Sequence, residues 1–379
     1  MKKFLGSICI RQRIAASYRK PFFELLASRC DGSLTVLAGD LDERMGEGIT
    51  TFDDLSTANL IKLETVYRGS GVAYRYYQPT LLDHLSEQRP EIVVSEANPR
   101  FVDMKSVIRN VHGLGSPVVG WGAGTSDFWN KPLKLLRKWY RERNLGSFDG
   151  MMGYSKLACR QYQDLGYNKN QVFPLYNSTV PRPNEDLCLE KGPLQLPAKV
   201  IFIGRLVETK RIELLIRAAE IANAKGPAIE LQIVGDGPDS QRLEDIAQSM
   251  KVEVKFMGRR VGDELATIAR NADLFVLPGL GGLAIQEAMA HGLPIIVTEA
   301  DGTELDLVTS NGWIAKKESV DSIANCILQA LSDPVELRHR GSESFRIVRD
   351  EINLERMADR FIDAATVIFE QSKSSRSAV

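Results

Sequence analysis

One stretch indicates the fold of the second half of the chain, namely Lys199-Val200-Ile201-Phe202-Ile203-Gly204-Arg205-Leu206-Val207-Glu208-Thr209-Lys210. It begins with a short apolar run, and Ile212, Leu215, Ala219 and Ala222 then recur at helical spacing. An apolar run that leads into such a helix is typical of a parallel sheet covered by helices on both faces. The stretch therefore predicts a strand and a crossover helix of a Rossmann-like domain.

Apolar runs alternate with segments of helical period through the rest of the second half, and less clearly through the first. In the second half, strands are predicted at Lys199–Ile203, Glu230–Val234, Glu253–Met257, Leu274–Leu277, Pro294–Thr298 and Gly312–Ala315. In the first half, they are predicted at Phe4–Ile10, Ser33–Ala38, Glu91–Ser95, Pro117–Gly120 and Gly150–Tyr154. This pattern predicts an α/β fold with two Rossmann-like domains facing each other across a cleft.

A proline-rich and charged segment without apolar period separates the two domains in this prediction. The predicted segments are a first domain 1–180, a linker 181–197, a second domain 198–349 and a C-terminal segment 350–379. The last segment contains a helix predicted from about Leu354 to Phe369, whose apolar face needs a docking surface. We expect the polar stretch Ser372–Ser377 to remain undocked.

Length and composition exclude several classes of protein. The 379 residues allow two or three domains, and 44% hydrophobic with 26% charged residues excludes a disordered or fibrous chain. The net charge is −1, but residues 1–197 hold 26 basic and 21 acidic residues, whereas 198–379 hold 22 and 28. The five cysteines contain no Cys-x-x-Cys pair, which favours a reducing compartment. Because Arg11 and Arg13 end the first apolar run, we expect a first strand there, not a signal peptide.

Two motifs follow predicted strands of the second domain and could bind an anion. In the first, Gly204 permits a tight turn, and Arg205 and Lys210 supply two cations beside the start of a helix. A guanidinium, an ammonium and a helix N-terminus suit phosphate oxygens. The alternative is a solvated loop with two surface cations.

The second motif is Pro278-Gly279-Leu280-Gly281-Gly282-Leu283-Ala284-Ile285-Gln286-Glu287. Its three glycines allow backbone N–H groups to approach a ligand, which suits a pyrophosphate. Glu287 lies one turn into the following helix and could accept hydrogen bonds from ribose hydroxyls, or it could be an ordinary surface glutamate. The spacing matches neither Gly-x-Gly-x-x-Gly nor a P-loop.

Together with Gly235-Asp236-Gly237 and Asn311-Gly312, these motifs resemble the C-terminal half of a family 4 retaining glycosyltransferase of the GT-B fold. The resemblance runs almost unbroken from Lys199 to Ala315 and is weaker over Val111–Asn177. It implies an acceptor-binding N-terminal domain and a C-terminal domain that binds a nucleotide sugar. It also implies that the last helix crosses back to the N-terminal domain.

The resemblance implies roles for individual residues. Arg205 and Lys210 would bind the diphosphate of the donor and act catalytically, because they would stabilise the leaving group without a metal. The glycine loop would supply amides to the phosphates, and Glu287 would hold the ribose. The donor-binding residues implied in this way are Gly204, Gly279, Gly281, Gly282, Leu283, Ala284 and Glu287.

Two positions depart from the family pattern. Gly279 stands where the family usually has a glutamate that contacts the donor sugar, and Ala123 stands where a histidine is common. The second departure affects the positioning of the sugar without preventing stabilisation of the leaving group. The residues expected in the cleft from the first domain are Arg19, Asn98, Gly122, Ala123 and Gly124, although Asn98-Pro99 is also a favourable turn sequence.

Residues 131–143 are strongly basic, with six basic residues against one acidic. Leucines and aromatic residues interleave with the charges, which suits an interfacial helix on anionic lipid; a core-packed helix with a basic outer face fits equally. Asp40-Leu41-Asp42 is the one Asp-x-Asp sequence, and its polar surroundings favour a loop over a metal site. We expect no metal and no other cofactor.

The sequence thus predicts a glycosyltransferase that moves a sugar from a UDP-, GDP- or ADP-sugar to a glycan or lipid-linked acceptor of surface polysaccharide assembly. We expect it in the cytoplasm, peripheral to the inner face of the membrane, and without a nucleic-acid partner. One alternative is a degenerate nucleotide-sugar-binding subunit, motivated by Gly279 and Ala123. Another is a nucleotide-sugar epimerase, which would need cleft carboxylates and usually histidines, whereas the chain has four histidines.

Overall fold

The computed structural model describes residues 2–42, 50–125, 140, 142–184 and 191–377, which form two compact units. The first unit consists of Met1–Thr179 and Glu355–Val379, and the second is Val180–Leu354. The second unit is continuous in sequence, whereas the first takes its last segment from the C-terminal end of the chain. At the boundary, the N–H of Leu354 donates to the carbonyl of Val180 at 2.8 Å.

A parallel sheet forms the centre of the first unit. Its strands are β1 (Ile8–Ile14), β2 (Leu34–Gly39), β3 (Asn59–Leu63), β6 (Ile92–Glu96), β7 (Val118–Gly122), β8 (Gly150–Gly153) and β9 (Val172–Pro174). Across the described part of the chain they pair in the order β3-β2-β1-β6-β7-β8-β9, all in parallel. A separate antiparallel hairpin consists of β4 (Val66–Arg68) and β5 (Arg75–Tyr77).

Helices cover this sheet because its strands are apolar on both faces. The helices are α1 (Lys20–Ala27), α2 (Leu81–Gln88), α3 (Met104–Gly113) and α4 (Lys156–Gln163). Strands β2 and β7 are buried along their whole length, and Phe22, Phe23 and Leu26 of α1 are buried in the core. The hydroxyl of Ser155 caps α4 by accepting a hydrogen bond from the N–H of Ala158 at 3.0 Å.

The second unit has the same architecture. Its strands are β10 (Ala198–Ile203), β11 (Ile229–Val234), β12 (Glu253–Gly258), β13 (Leu274–Leu277), β14 (Ile295–Thr298) and β15 (Gly312–Ala315). Counted over residues 191–354, they form one parallel sheet in the order β12-β11-β10-β13-β14-β15. The helices are α5 (Ile212–Lys225), α6 (Ser240–Gln248), α7 (Gly262–Asn271), α8 (Gly282–Ala290), α9 (Thr303–Leu307), α10 (Val320–Ser332) and α11 (Pro334–Asp350).

The last helix, α12 (Leu354–Ser377), completes the core of the first unit. The ring of Phe361 is fully buried and lies 5.7 Å from that of Phe22 and 5.8 Å from that of Trp121, between ring centroids. Arg29 of the first unit, which is buried, forms an ion pair with Asp359. The apolar face of α12 therefore docks on the first unit.

The predicted α/β fold with two Rossmann-like units is confirmed. In the second unit, all six predicted strands agree with the structure within one residue at each end. The described part of the segment 181–197, predicted as a linker, packs on this unit. Lys191 donates to the carbonyl of Ala272 at 2.5 Å, and Arg338 donates to that of Gly192 at 2.9 Å.

The first strand differs from its prediction. It runs Ile8–Ile14 instead of Phe4–Ile10, so Arg11 and Arg13 lie inside the strand and do not end it. Arg11 is fully buried, and its guanidinium pairs with the carboxylate of Asp103 at 2.7 Å. Because a charged partner compensates for its burial, an arginine occupies a core position that a sequence pattern assigns to an apolar residue.

The C-terminal stretch also differs. Helix α12 continues past the predicted end at Phe369, and Ser372–Ser377, expected to be undocked, is helical. The guanidinium of Arg376 donates to the carbonyl of Gly115 in the first unit. The hydroxyls of Ser374 and Ser375 in this last part donate to the carbonyls of Glu370 and Gln371, one turn earlier.

Candidate functional site

The order of the strands brings the two glycine-containing motifs of the second unit together. Strands β10 and β13 are neighbours, but the chain proceeds from β10 to one side of the sheet and from β13 to the other. The carboxyl ends of two such strands form a switch point, where ligands of open parallel sheets bind. The loop after β10 contains Gly204, Arg205 and Lys210, and the loop after β13 contains Gly279 and Gly281.

The two loops are in direct contact. The N–H of Leu280 donates to the carbonyl of Thr209 at 3.1 Å, and the ammonium of Lys210 donates to the carbonyl of Leu280. A Cβ at Gly279 would lie 2.6 Å from the carbonyl carbon of Lys210, and one at Gly281, whose φ is 148°, would collide with the Lys210 ammonium. Glycine at both positions therefore permits the close approach of the two loops.

The two cations of the first motif have different environments. Lys210 is largely buried, and this burial lowers the pKa of its amine, an effect that the nearby charge of Asp301 partly offsets. Arg205 is half-buried, and it has neither a hydrogen bond nor an ion pair with any of the described side chains. Its guanidinium is thus available to a ligand, and Lys210 is fixed against the glycine loop.

Helix α8 begins at the end of this loop. Gly282, Leu283 and Ala284 form its first turn and are partly exposed, so their N–H groups belong to a helix N-terminus. Glu287 lies one turn further, and its side chain is 38% exposed. Its carboxylate is 3.3 Å from Nε2 of His291, one turn further along the helix. Glu287 is therefore held from one side and open on the other.

A third loop, after β14, supports the start of α8. The carboxylate of Glu304 is buried and accepts hydrogen bonds from the N–H groups of Ala300 at 2.8 Å and Gly302 at 3.0 Å. Burial raises the pKa of Glu304, and these hydrogen bonds offset part of that effect. Thr303 packs directly against Gly282. Glu304 thus organises the loop that contacts the first residue of α8.

Four of the five residues predicted for the cleft in the first unit line a cavity of about 390 Å³. Asn98, Gly122, Ala123 and Gly124 all line it. The side chain of Asn98 accepts from the N–H of Arg100 at 3.1 Å, so the predicted turn and the predicted lining position both occur. Ala123 is exposed, in the position where the resemblance implies a histidine.

Arg19, the remaining predicted residue, does not line this cavity but lies behind its wall. Its guanidinium is buried and donates to Oδ1 of Asn177 at 2.6 Å and to the hydroxyl of Tyr154 at 2.8 Å. It also lies over the ring of Trp121, 4.4 Å from the centroid. Tyr154 itself lines the cavity, and burial raises its pKa to about 12, so it keeps its proton at neutral pH.

The structure gives less information on the predicted membrane contact and on the predicted absence of a metal site. The basic segment 131–143 lies almost entirely outside the described residues, so membrane contact through it stays a prediction. None of the described helices combines the length and apolar character needed to cross a bilayer. Asp42 accepts a hydrogen bond from the hydroxyl of Tyr74 at 2.7 Å, as in a structured loop. No group of three metal-binding side chains occurs among the residues that the structure describes.

Residues 190–346 match the family described as glycosyl transferases group 1. The second unit is a group 1 glycosyltransferase domain. The match covers about two fifths of the chain and confirms the resemblance indicated by the motifs around Gly204 and Gly281. The remaining part of the chain is assigned by its fold alone.

Curated relatives are similar over part of the chain. The chain is 39% identical over 137 residues to a GDP-mannose-dependent alpha-mannosyltransferase of Corynebacterium glutamicum, which covers 34% of this chain and 30% of that protein. It is 29% identical over 152 residues to the amylovoran biosynthesis glycosyltransferase AmsK of Erwinia amylovora, which covers 37% of each. The chain thus aligns with between about a quarter and a half of the length of these curated relatives.

A solved structure is similar over almost the whole chain. It is that of Anabaena Alr3699/HepE in complex with UDP and glucose, with a TM-score of 0.63, 14% sequence identity, and coverage of 95% of this chain and 99% of that chain. At this identity the likeness shows the fold alone. It confirms the GT-B fold class predicted from the sequence.

Several residues of the site are absent from the sequence prediction. His291 orients Glu287, and the spacing of four residues on one helix is a signal that indicates such a pair. Glu304 and Tyr154 lack any comparable signal. Glu304 accepts from N–H groups of its own loop, which no spacing of side chains indicates, and Tyr154 accepts from Arg19, which is distant in sequence.

Proposed function

We propose that the protein is a retaining glycosyltransferase that transfers a sugar from a nucleoside diphosphate sugar to a glycan or lipid-linked acceptor. The contact between the loops after β10 and β13 carries this proposal, because it places Lys210 against the glycine loop at the start of α8. The family match supports it, as do the names of relatives that depend on GDP-mannose and a structural neighbour with bound UDP and glucose.

In this proposal the second unit binds the donor. Arg205 and Lys210 neutralise the diphosphate, and the N–H groups of Gly282–Ala284 contact its oxygens at the N-terminus of α8. Glu287 accepts hydrogen bonds from the ribose hydroxyls, and His291 holds its carboxylate in place. Gly279 contributes space, since a side chain there would meet the backbone of Thr209 and Lys210, and a side chain at Gly281 would displace the Lys210 ammonium.

The reaction breaks the bond between the anomeric carbon of the sugar and the diphosphate oxygen. The acceptor oxygen bonds to the same carbon on the same face, and its proton passes to the departing phosphate. Negative charge grows on the diphosphate in the transition state, so preformed cations beside it lower the barrier. Arg205 and Lys210 take this role, and the proposal therefore invokes no metal ion.

A panel of donors tests the proposal. The purified protein is mixed with UDP, GDP and ADP, and the nucleotide that raises its melting temperature most identifies the base, since a ligand that binds only the native state stabilises it. Matching nucleotide sugars are then assayed for release of the diphosphate with a glycan or prenyl-phosphate acceptor. The anomeric configuration of the product, measured by NMR, should equal that of the donor.

Other results would favour the alternatives. Nucleotide binding without turnover of any sugar, with or without membranes, supports a degenerate binding subunit, which the departures at Gly279 and Ala123 motivate. Release of an epimerised sugar supports an epimerase. Failure of all three nucleotides to bind contradicts the proposal outright.

A further inference from the structure

The cavity of the first unit lies at the carboxyl ends of three strands. Glu96 ends β6, Gly122 ends β7 and Tyr154 follows β8, and all three residues line it together with Arg100. Its volume of about 390 Å³ falls within the range of small-molecule sites, about 300–1,000 Å³. All the described residues that line it belong to the first unit, whereas the donor-binding loops belong to the second.

Arg19 is a buried cation without an anionic partner. Only 3% of the residue is exposed, and its hydrogen-bond partners are an amide oxygen and the phenol of Tyr154. Its Nε is buried and has no hydrogen-bond partner, and no carboxylate among the described residues forms an ion pair with the guanidinium. Burying an unpaired charge costs free energy, which a nearby anion would offset.

Tyr154 connects this charge to the cavity. Its oxygen accepts the hydrogen bond from Arg19, so its own hydroxyl proton is free to donate to another group. None of the described residues accepts that proton, and Tyr154 lines the cavity. A hydroxyl that accepts from a cation becomes a stronger donor, because hydrogen bonds in a chain polarise one another. A ligand acceptor in the cavity would complete the chain.

The charged residues of the described lining are Arg100 and Glu96. Arg100 forms no ion pair with the described residues, and its guanidinium lies 5.8 Å from the ring centroid of Tyr74. Glu96 is the acidic residue among the described lining residues, and both its oxygens are already engaged. One accepts from Asn98 at 3.1 Å and the other from the N–H of Arg13 at 2.9 Å. Arg100 is thus an unpaired guanidinium at the cavity, whereas Glu96 keeps its charge but is held by two neutral donors and does not pair with Arg100.

We infer that this cavity binds an anionic group of the acceptor, a phosphate or a carboxylate on a sugar. Arg100 and the hydroxyl of Tyr154 donate to it, and Arg19 supplies the buried charge behind Tyr154. The inference rests on the proposed function, since it names the class of acceptor that the glycosyltransferase uses. The positive charge of a guanidinium favours an ionised oxygen over a neutral one, and the phenol adds a second donor.

Three sugars that differ only at C6 test the inference on the full chain. Isothermal titration calorimetry compares glucose 6-phosphate, glucuronic acid and glucose. We expect at least one of the two anionic sugars to bind at least tenfold more tightly than glucose. The one preferred distinguishes a phosphate from a carboxylate. In Arg100→Gln the preference should disappear, and in Tyr154→Phe the affinity for that sugar should fall several-fold.

Arg68→Gln is the matched control, because Arg68 is also an arginine of the first unit beside a tyrosine ring, 5.3 Å from Tyr77, but does not line the cavity. It should bind like the wild type. Circular dichroism establishes that each variant is folded. Equal binding of the three sugars, binding of none, or an unchanged preference in Arg100→Gln overturns the inference.

Nucleotide binding is measured on the same samples and separates this inference from the proposed function. Nucleotide-sugar turnover without a preference for anionic sugars removes the inference and leaves the proposed function intact. Conversely, an anion preference that depends on Arg100 but is accompanied by no nucleotide binding supports the cavity and contradicts the donor site.

Discussion

Arg205 and Lys210, the two cations in the loop after β10, have different environments and therefore different roles in the proposed donor site. Lys210 is mostly buried and donates to a backbone carbonyl, so its charge is fixed in place at the cost of desolvation. Arg205 is half-buried and unpaired among the described residues. A fixed charge acts through its position, whereas a mobile guanidinium can adapt to a phosphate group and bind it with two hydrogen bonds.

Removing either cation should slow the transfer reaction. In Arg205→Ala and Lys210→Met, kcat should fall about a hundredfold or more, because each variant loses a charge that stabilises the departing diphosphate. Steady-state kinetics with the donor identified by the nucleotide panel measures this. Lys210→Met retains the length of the side chain, so the packing against Gly281 is largely kept.

Arg217→Ala provides the control, since Arg217 is an exposed arginine on α5 of the same unit. Its kcat should match the wild type, and all variants should bind the unphosphorylated nucleoside equally. A normal kcat in Arg205→Ala or Lys210→Met would refute the role of that residue.

Residue roles that follow directly from the end of a recognisable strand can be predicted from the sequence, and those that depend on long-range contacts cannot. Arg205 and Lys210 directly follow a strand that its apolar run identifies. Arg11 shows the opposite case. Its partner Asp103 is distant in sequence, so nothing local indicates that a charged residue belongs in the core.

At the scale of elements, burial on both faces makes strands predictable. Strands β10, β11 and β13 are entirely or almost entirely buried, and their apolar runs define their ends. Strands β3 and β4 are partly exposed and mix polar with apolar residues, so the sequence pattern misses them. The same explanation applies to the hairpin that β4 forms with β5.

Lys191 stabilises the C-terminal end of α7, where it donates to the carbonyls of Ala269 and Ala272. Burial, together with the nearby charge of Arg338, lowers the pKa of its amine to about 7, although the charge of Asp273 acts in the opposite direction. The unfolded chain therefore binds more protons between pH 7 and the ordinary lysine value of 10.5. The free energy of unfolding therefore includes the full contribution of Lys191 above pH 10.5. This contribution decreases as the pH falls from 10.5 and is lost once the pH has fallen through 7.

We expect this contribution to appear as a pH-dependent difference between the wild type and Lys191→Met. The urea midpoint, followed by circular dichroism at pH 7 and pH 9, should move in favour of the wild type at the higher pH. Lys225→Met, which alters an exposed lysine at the end of α5, should show a difference that does not change with pH. A constant difference for Lys191→Met would contradict the lowered pKa.

At the scale of the whole molecule, the two units differ in how many segments of the chain build their cores. The second unit is one continuous segment, and the first needs α12 to complete its core. The sequence predicts that α12 has an apolar face, but its polar last turns give no indication of docking. Arg376 contacts Gly115, which is far away in sequence, so no local sequence pattern predicts this contact.

Phe361→Ala tests this division of the core. The substitution removes a fully buried ring that contacts Phe22 and Trp121, so it should destabilise the first unit by about 3–5 kcal/mol. Hydrogen–deuterium exchange read by mass spectrometry should show faster exchange in β1, β7 and α1, which belong to the same unit.

Peptides of β10–β15 should exchange as in the wild type. Gln371→Ala, on the exposed side of the same helix, should leave both units unchanged. Faster exchange throughout the second unit in Phe361→Ala would show that α12 supports both units, contrary to the observed division.

The position of α12 also determines the order in which the two units can fold during synthesis. A ribosome completes every residue of the second unit when it reaches Leu354, whereas the first unit, although it is begun first, still lacks α12 at that point. The nascent first unit therefore exposes the apolar surface around Phe22 and Trp121 while about half of the chain is still being translated. Chaperones that bind exposed apolar segments would find that surface before the helix covers it.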